Sequence, residues 1–408
     1  MHMMIIADDL TGALDAGVCM LPSQVVVAAS AGAAAEATGT CDVLSVNAGT
    51  RHMDAEAAYC QVASLVRKAK EQGVHVLFKK TDSALRGNIG AELAAAYDAA
   101  GAPRLHFIPA FPAMGRTTSG GRQYVNGMPV DESSFGRDPF EPVISSDIAE
   151  IISAESRVPV RVVGEGDPVP QDFCGIVVYD AASDASLDAR VHELQEKGEL
   201  KAVAGCAGLS SALHRAFAGA APVPAPAYEG NLLAVCGSVN PASRAQCRYA
   251  EKLGYPVFHI GAEQKCRSSW PSGPEGRTFV RDVSRSWKSH ELTVIDGSGL
   301  EDLTSLVPAG SDIRQLVADN IAGILLSICE SGIVGRALVM GGDILSSFLV
   351  QAQVGLIYPL GSVEEGIVCI RIDIDGKPFV LAAKSGGFGN EKLFASLAES
   401  PRNTEGAA

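Results

Sequence analysis

The sequence predicts an α/β protein of two domains, each a mainly parallel sheet flanked by helices. Three observations predict it. Short apolar runs recur along the chain, each ending in a polar or glycine-bearing turn and followed by a segment of helical spacing, which is the pattern of strand-turn-helix units. At 408 residues the chain exceeds what one ordinary core accommodates. Near its middle, Gly219-Ala220-Ala221-Pro222-Val223-Pro224-Ala225-Pro226-Ala227 alternates Pro with Ala, favouring an extended, semi-rigid spacer. The expected division is a first domain over 1–218, a linker over 219–229, a second domain over 230–400 and a frayed tail over 401–408.

Composition narrows the function classes. Hydrophobic residues make up 47% and charged residues 20%, as in a well-folded protein. The 33 basic against 47 acidic residues leave a net charge of −14, which argues against a nucleic-acid partner, since such binding is driven by Lys and Arg neutralising phosphates. The ten cysteines are scattered, none in a C-x-x-C pair and none beside a His at zinc-ligand spacing. The N-terminus lacks a basic segment followed by a long apolar core, and no apolar run reaches the length of a membrane span. The expectation is a soluble, reduced, cytoplasmic protein with buried thiols and no membrane partner.

The first strand-turn-helix unit carries the strongest signal. Met4-Ile5-Ile6-Ala7 reads as a buried strand that stops at Asp8-Asp9; Thr11-Gly12 then allows a tight turn, and an Ala-rich segment fit for a helix begins. Carboxylates thus stand at the carboxyl end of a strand, where open α/β sheets bind ligands. Asp9 or Thr11 also suits a helix cap, but capping needs only one side chain, so the second carboxylate invites a functional role. Strands follow at 24–29 and 42–47, the latter ending in Ala48-Gly49-Thr50-Arg51. Position alone slightly favours Arg51 as a surface residue over an anion ligand.

A helix at 53–72 leads to a strand at 74–78 and then to Lys79-Lys80-Thr81-Asp82-Ser83-Ala84-Leu85-Arg86-Gly87-Asn88, before a helix at 89–100. This turn suits a small polyhydroxylated anion: an Arg fork takes a carboxylate, while Asp and Asn take hydroxyls. Leu105 to Pro109 is another strand. From 110 to 146 no apolar period is sustained, yet Phe111, Tyr124, Phe135 and Phe140 argue against disorder, and Asn126-Gly127 marks a hairpin. That segment is read as a lid or a dimer arm, which leaves a homodimer open. Strands at 158–163, 174–179 and 201–205 alternate with helices at 184–198 and 207–218.

Beyond the linker, a strand at 231–236 feeds Gly237-Ser238-Val239-Asn240-Pro241 and a helix, a natural anion site at a helix start. Further elements are expected at 277–281, 292–296 and 311–332. Arg336 to Met340 is a strand ending in Gly341-Gly342-Asp343, where Asp343 either holds a divalent metal through water or caps the helix. A hairpin around Asp375-Gly376 then delivers Lys384-Ser385-Gly386-Gly387-Phe388-Gly389, a plausible phosphate cradle. The common nucleotide fingerprints and the serine-elbow and zincin motifs are absent. What remains is an N-terminal half suited to a small hydroxy acid and a C-terminal half suited to phosphates, which together suggest phosphoryl transfer with the active site in the interdomain cleft. Two other classes compete: a Schiff-base enzyme using Lys79 or Lys80, and a non-catalytic ligand-sensing or adaptor protein.

Five blocks occur in one order: Ala7-Asp8-Asp9-Leu10-Thr11-Gly12-Ala13; Lys80 to Asn88; Pro109-Ala110-Phe111-Pro112 with Gly115-Arg116-Thr117-Thr118; Gly341-Gly342-Asp343; and Lys384 to Gly389. Over nearly the whole chain this set resembles the four-carbon acid sugar kinase family, whose members pair a sugar-binding N-terminal domain with a nucleotide-binding C-terminal domain. The resemblance implies ATP-dependent phosphorylation, with Mg2+, of threonate, erythronate or a related acid at its terminal hydroxyl. It implies substrate residues at Asp9, Arg51, Asp82, Ser83 and Arg86, to which the local chemistry adds Asp8, Lys80 and Asn88. Asp9, Asp82 and Arg86 are the expected catalytic residues. Nucleotide residues are expected at Ser238, Gly341, Gly342, Asp343, Lys384, Ser385, Gly386, Gly387 and Gly389; no metal ligands are assigned. Two positions depart from the family pattern: Ile344 replaces a small polar residue, and Asn240-Pro241-Ala242-Ser243 replaces a Ser-Pro turn with a nearby Thr.

Overall fold

The computed structural model describes residues 1–37, 41–138, 141–218, 223–224, 230–331, 335–364 and 366–399. Most of the expected linker, the tail and Phe140 lie outside these residues. The chain divides into two compact units, Met1–Val223 and Pro224–Ala408.

In the first unit the order is β1 (Met3–Ala7), α1 (Leu10–Val18), β2 (Val25–Ala28), β3 (Val43–Asn47), α2 (Ala55–Glu71), β4 (Val76–Lys80), α3 (Ile89–Ala100) and β5 (Arg104–Ile108). There follow β6 (Arg116–Ser119), β7 (Arg122–Val125), β8 (Met128–Pro129), α4 (Ile148–Glu155), β9 (Val160–Val163), β10 (Gly175–Tyr179), α5 (Asp184–Glu196), β11 (Ala202–Gly205) and α6 (Ala207–Ala218). Among the described residues, eight strands form a parallel sheet in the order β2-β3-β1-β4-β11-β5-β10-β9. β1 is buried along its whole length, as a strand covered on both faces must be. The expected 110–146 irregularity contains a small antiparallel sheet, β6-β7-β8, whose last turn is Asn126-Gly127 with both residues at positive φ. This segment escapes periodicity because its strands are only two to four residues long.

The second unit runs β12 (Leu232–Cys236), α7 (Pro241–Lys252), β13 (Val257–His259), α8 (Ala262–Cys266), α9 (Pro274–Ser289), β14 (Leu292–Asp296), α10 (Ile313–Glu330), β15 (Arg336–Met340) and α11 (Gly342–Gln351). It ends with β16 (Leu356–Glu364), β17 (Ile367–Ile374), β18 (Lys377–Lys384) and α12 (Leu393–Glu399). Its sheet order is β13-β14-β12-β15-β18-β17-β16, parallel as far as β18 and antiparallel beyond. The segment at 277–281 is helical, inside α9. Among the described residues, no helix is long and apolar enough to cross a membrane. The expectation of buried thiols holds only in part, because Cys60 and Cys174 are exposed.

Lys79 and Lys80 lie inside β4, not beyond it. Consecutive strand residues face opposite sides of a sheet. Lys79 therefore points away from Lys80, fully buried, with Nζ 2.7 Å from Glu92 Oε2 of α3. Burial pushes the Glu92 carboxyl up, and Lys79 acts against that. An ammonium held this way is inaccessible to a carbonyl substrate, which removes Lys79 from the Schiff-base alternative. Replacing Lys79 alone by Met should strand the Glu92 charge and cost about 3–5 kcal/mol, whereas Lys79→Met with Glu92→Leu should recover most of the loss. Urea-unfolding midpoints of the single and double variants check this; equal midpoints in wild type and single variant would show that the pair is not stabilising.

Candidate functional site

β3, β1 and β4 are neighbours in the first unit, and Asn47, Ala7 and Lys80 are register partners. The three strands therefore end in one row, and the segments that leave them, Asp8-Asp9, Ala48–Arg51 and Thr81–Arg86, converge. Arg51 is not a surface residue; its side chain is 12% exposed. Its Nε donates to Asp8 Oδ2 at 2.8 Å, its NH1 to Asp9 Oδ2 at 2.5 Å, and NH2 lies 3.6 Å from Asp82 Oδ1. Arg86 grips Asp82 through two parallel bonds, Nε to Oδ2 at 3.0 Å and NH2 to Oδ1 at 2.9 Å. That fork geometry is the strongest form of carboxylate recognition.

Asp9 serves two roles at once. It caps α1 by accepting from Gly12 N at 2.7 Å, and it also pairs with Arg51. Asp8 caps nothing, and its Oδ1 is buried without a hydrogen-bond partner among the described residues. Asp82 accepts from the backbone N–H groups of Ala84 and Arg86 as well as from the Arg86 side chain, so it also shapes its own turn. Lys80 is buried, and its Nζ donates to Thr81 O at 2.9 Å. A Cβ on Gly12 would stand 2.6 Å from Asp9 Oδ1 and 3.0 Å from Lys80 Nζ, so only glycine lets the helix start approach both groups. Ser83 offers its carbonyl to Gln123 Nε2 at 3.0 Å. Asn88 spends its amide on the carbonyls of Thr50 and Met53, which ties the Arg51 loop to α3.

Electrostatics follow from burial against pairing. Burial raises the Asp9 carboxyl, but Arg51 and Lys80 outweigh it and the pKa is lowered. Burial likewise opposes the Asp82 charge, and Arg86 with Arg51 holds that group well below the usual carboxylate range. Burial works against the Arg51 charge, but Asp8 and Asp9 hold the guanidinium protonated well above its ordinary value. Asp9, Asp82 and Arg51 are thereby each held in the charged form by their partners.

Two contacts here lay outside sequence reasoning. Asp138 Oδ2 lies 3.3 Å from Arg86 NH1, and the Phe135 ring stacks 5.2 Å from the Arg86 guanidinium. Both belong to the 110–146 segment, which therefore packs on the carboxylate cluster within its own unit. Their separation from Arg86 along the chain left no local signal.

In the second unit the glycine turns converge in the same way. Cys236, Met340 and Lys384 end β12, β15 and β18 in one register row. A Cβ on Gly386 would meet Ser238 Oγ at 2.3 Å, and one on Gly341 would stand 3.8 Å from Ser238 N. Gly341 has φ +110, its own N–H donates to Lys384 O, and no side chain caps α11, so the N–H groups of Gly342 and Asp343 have no side-chain acceptor at that helix start. Asp343 is half exposed in the first turn, 3.6 Å from Arg314 NH1, and does not cap. Lys384 is buried, and its Nζ donates to Ser243 Oγ, Ser385 O and Gly386 O at 3.2–3.3 Å. Burial pushes its pKa down to about 8.

Ser243 and Gln246 of α7 hold the Ser385–Gly389 turn. Ser243 Oγ donates to Gly386 O, and Gln246 Nε2 donates to the carbonyls of Phe388, Gly389 and Asn390. With its carbonyls so engaged, this turn suits an anion at its N–H groups. Ile344 is buried against Gly237, where a Cβ would come within 1.9 Å of Ile344 Cδ1. The Ile344 side chain thus packs beneath the turn and offers no hydroxyl to a ligand. The donor set of N–H groups, one ammonium and one half-exposed carboxylate fits a magnesium-bound polyphosphate.

Comparison with known proteins agrees with this division. A sugar-binding N-terminal domain model matches residues 3–213 and a nucleotide-binding C-terminal domain model matches residues 233–394. The chain is 28% identical to a D-threonate kinase of Salmonella typhimurium, covering 96% of each chain. It is 29% identical to a D-erythronate kinase of Heliobacterium modesticaldum over 84% of each, and 27% identical to a 3-oxo-tetronate kinase of Burkholderia multivorans over 95% of each. A solved structure from Salmonella typhimurium superposes with a TM-score of 0.75 at 21% identity, covering 98% of this chain and 99% of that one. One from Haemophilus influenzae superposes with a TM-score of 0.66 at 18% identity, covering 96% and 98%. At those identities the structural likenesses establish the fold. With both domain models matched in sequence over most of its length, the chain belongs to the four-carbon acid sugar kinase family.

Proposed function

We propose that this protein uses ATP and Mg2+ to phosphorylate the terminal hydroxyl of a four-carbon sugar acid of the threonate or erythronate type. The observation that carries the proposal is the cluster of Asp8, Asp9, Arg51, Asp82 and Arg86 at three adjacent strand ends, on a chain whose other unit gathers three glycine turns around Lys384. Three relatives whose names specify four-carbon acids support the substrate class.

In this reading the substrate carboxylate is taken by Arg86, at the NH1 edge that now faces Asp138, with Arg51 beside it. Asp8 Oδ1, buried and without a hydrogen-bond partner among the described residues, accepts from a substrate hydroxyl. Asp82 is committed to Arg86 and to its own turn, so it positions the arginine. Asp8 and Asp9 are then the carboxylates that face the hydroxyls. The terminal hydroxyl oxygen bonds to the γ-phosphorus as the bond to the bridging oxygen breaks, ADP leaves and the hydroxyl proton passes to a carboxylate or to water. Alignment and charge neutralisation carry such a reaction further than the base does. Lys384, Ser238 and the N–H groups of Gly342, Asp343, Gly386 and Gly387 would hold the phosphates, while Gly341 N and Ser385 N donate to the carbonyls of Lys384 and Gly366 and fix the two turns; Gly389 closes the second turn at φ +75. Asp343 would hold Mg2+ through water, and the ion supplies charge neutralisation between phosphates. The Phe135 and Asp138 contacts to Arg86 support reading the 110–146 segment as a lid, which would exclude water from the acid.

ADP release should be seen with one member of a panel of D- and L-threonate and D- and L-erythronate, tested beside 3-oxo acids and larger aldonates. Acid binding by calorimetry with no turnover of any member would instead favour a ligand-sensing protein that keeps the fold. Arg86→Ala should raise the KM for the acid roughly 10- to 150-fold, the worth of one charged hydrogen-bonded contact; unchanged KM and kcat would mean that the acid binds elsewhere. Because the Lys384 charge is present below about pH 8 and lost above it, kcat/KM for ATP should fall as pH rises through that value. Lys384→Met should give a low, flat profile in the same range, and a wild-type profile flat to pH 9 would remove Lys384 from the phosphate site.

A further inference from the structure

The row in which the strands of the second unit end carries chemistry that phosphate binding leaves unused. His259, Asp296, Cys236 and Met340 are register partners across β13, β14, β12 and β15. Register partners in a parallel sheet stand side by side on one face. Helix α7 brings Cys247 onto that face, where Cys236, Cys247 and Met340 share one packed core. One donor atom from each of Cys236, Cys247 and Asp296 lies within 4.8 Å of the other two. Both thiols are almost fully buried, and the Asp296 side chain is 14% exposed.

Setting a carboxylate beside two buried thiols has no packing rationale, because a poorly solvated charge needs a counter-charge. Among the described residues no Lys or Arg pairs with Asp296. Its Oδ1 accepts from Ser298 N and Oγ, and its Oδ2 lies 3.2 Å from His259 Nδ1, on a ring that is half exposed. Two sulfurs and one carboxylate oxygen suit zinc, whereas Mg2+ takes oxygen alone.

We propose that Cys236, Cys247 and Asp296 form a three-donor site for Zn2+, completed by an exchangeable fourth ligand. His259 orients the Asp296 carboxylate from outside, as a positioning residue. Zinc–sulfur bonds of about 2.3 Å and zinc–oxygen bonds of about 2.0 Å put tetrahedral donors about 3.5–3.8 Å apart, so donors that lie within 4.8 Å of one another close by no more than about 1.3 Å. On binding, each thiol gives its proton to solvent and a sulfur–zinc bond replaces the sulfur–hydrogen bond; no electrons are transferred. Cys236 directly precedes the Gly237-Ser238 turn, so occupancy braces the strand end on which that turn rests. The site stands on its own residues whether or not the turn binds ATP.

The test uses the full-length reduced protein, stripped of metal and titrated with Co2+ and then Zn2+. The expected result is one Co2+ per chain with a thiolate-to-cobalt charge-transfer band and tetrahedral visible absorption, displaced by Zn2+. Cys247→Ser and Cys236→Ser should abolish or halve the charge-transfer band and weaken Zn2+ binding by at least roughly tenfold. Asp296→Asn should weaken binding and keep the band. A Cys60→Ser/Cys174→Ser variant, which removes the exposed thiols, should retain the full signal. Matching circular dichroism of the metal-free variants separates lost ligation from lost folding, and Cys247→Ala serves if the serine variant unfolds. The proposal is overturned by no uptake, by a band that survives both Cys236→Ser and Cys247→Ser, or by one that vanishes without Cys60 and Cys174. Air oxidation of the two thiols to a disulfide, in protein that takes up no metal, would overturn it equally.

Discussion

The guanidinium of Arg51, set among Asp8, Asp9 and Asp82, is the constraint on which the first unit depends. Each of these groups would be costly to bury alone, and they are tolerable only because they meet. Meeting requires β1, β3 and β4 to end in one row, so the sheet register and the charge cluster are the same structural condition. Gly12 allows the helix start close enough for Asp9 to serve both as cap and as counter-ion. Behind the row, Lys79 and Glu92 neutralise each other inside the sheet–helix layer and leave Lys80 as the cation on the opposite face.

The second unit repeats the topological device with opposite chemistry. Its strand ends present glycines where the first unit presents carboxylates. Backbones then pack closely enough for the Gly386 position to touch Ser238, while Ser243 and Gln246 occupy the carbonyls of the last turn. Ile344 fills the space under Gly237 with an apolar side chain. In the proposed reaction the two edges would divide the demands of phosphoryl transfer, the charge-dense edge taking the acid and the N–H-rich edge the phosphates.

Much of this was legible in the sequence, for local reasons. The alternation of buried strand and amphipathic helix is written in periodicity, and Asp8-Asp9 and the 79–88 turn announce themselves by polarity after apolar runs. Arg51 was under-read because nothing near it in sequence reveals the three carboxylates it faces. β16 escaped because Pro359 and Gly361 interrupt its apolar pattern, and its pairing with β17 shifts register at those residues. Asp138 and Phe135 were hidden because a segment without periodicity gives no hint of what it packs against.

By itself, the sequence determined the two-part α/β architecture, the strand ends that bear polar groups and the family. Periodicity, capping and turn chemistry act over a few residues and can be read along the chain. Only the tertiary structure decided that Arg51 is a buried hub, that Asp138 and Phe135 rest on Arg86, and that Cys236, Cys247 and Asp296 converge although no cysteine spacing suggested it. Strand order, register and helix placement decide which side chains are neighbours, and these are properties of whole sheets packed under burial, to which no local motif gives access.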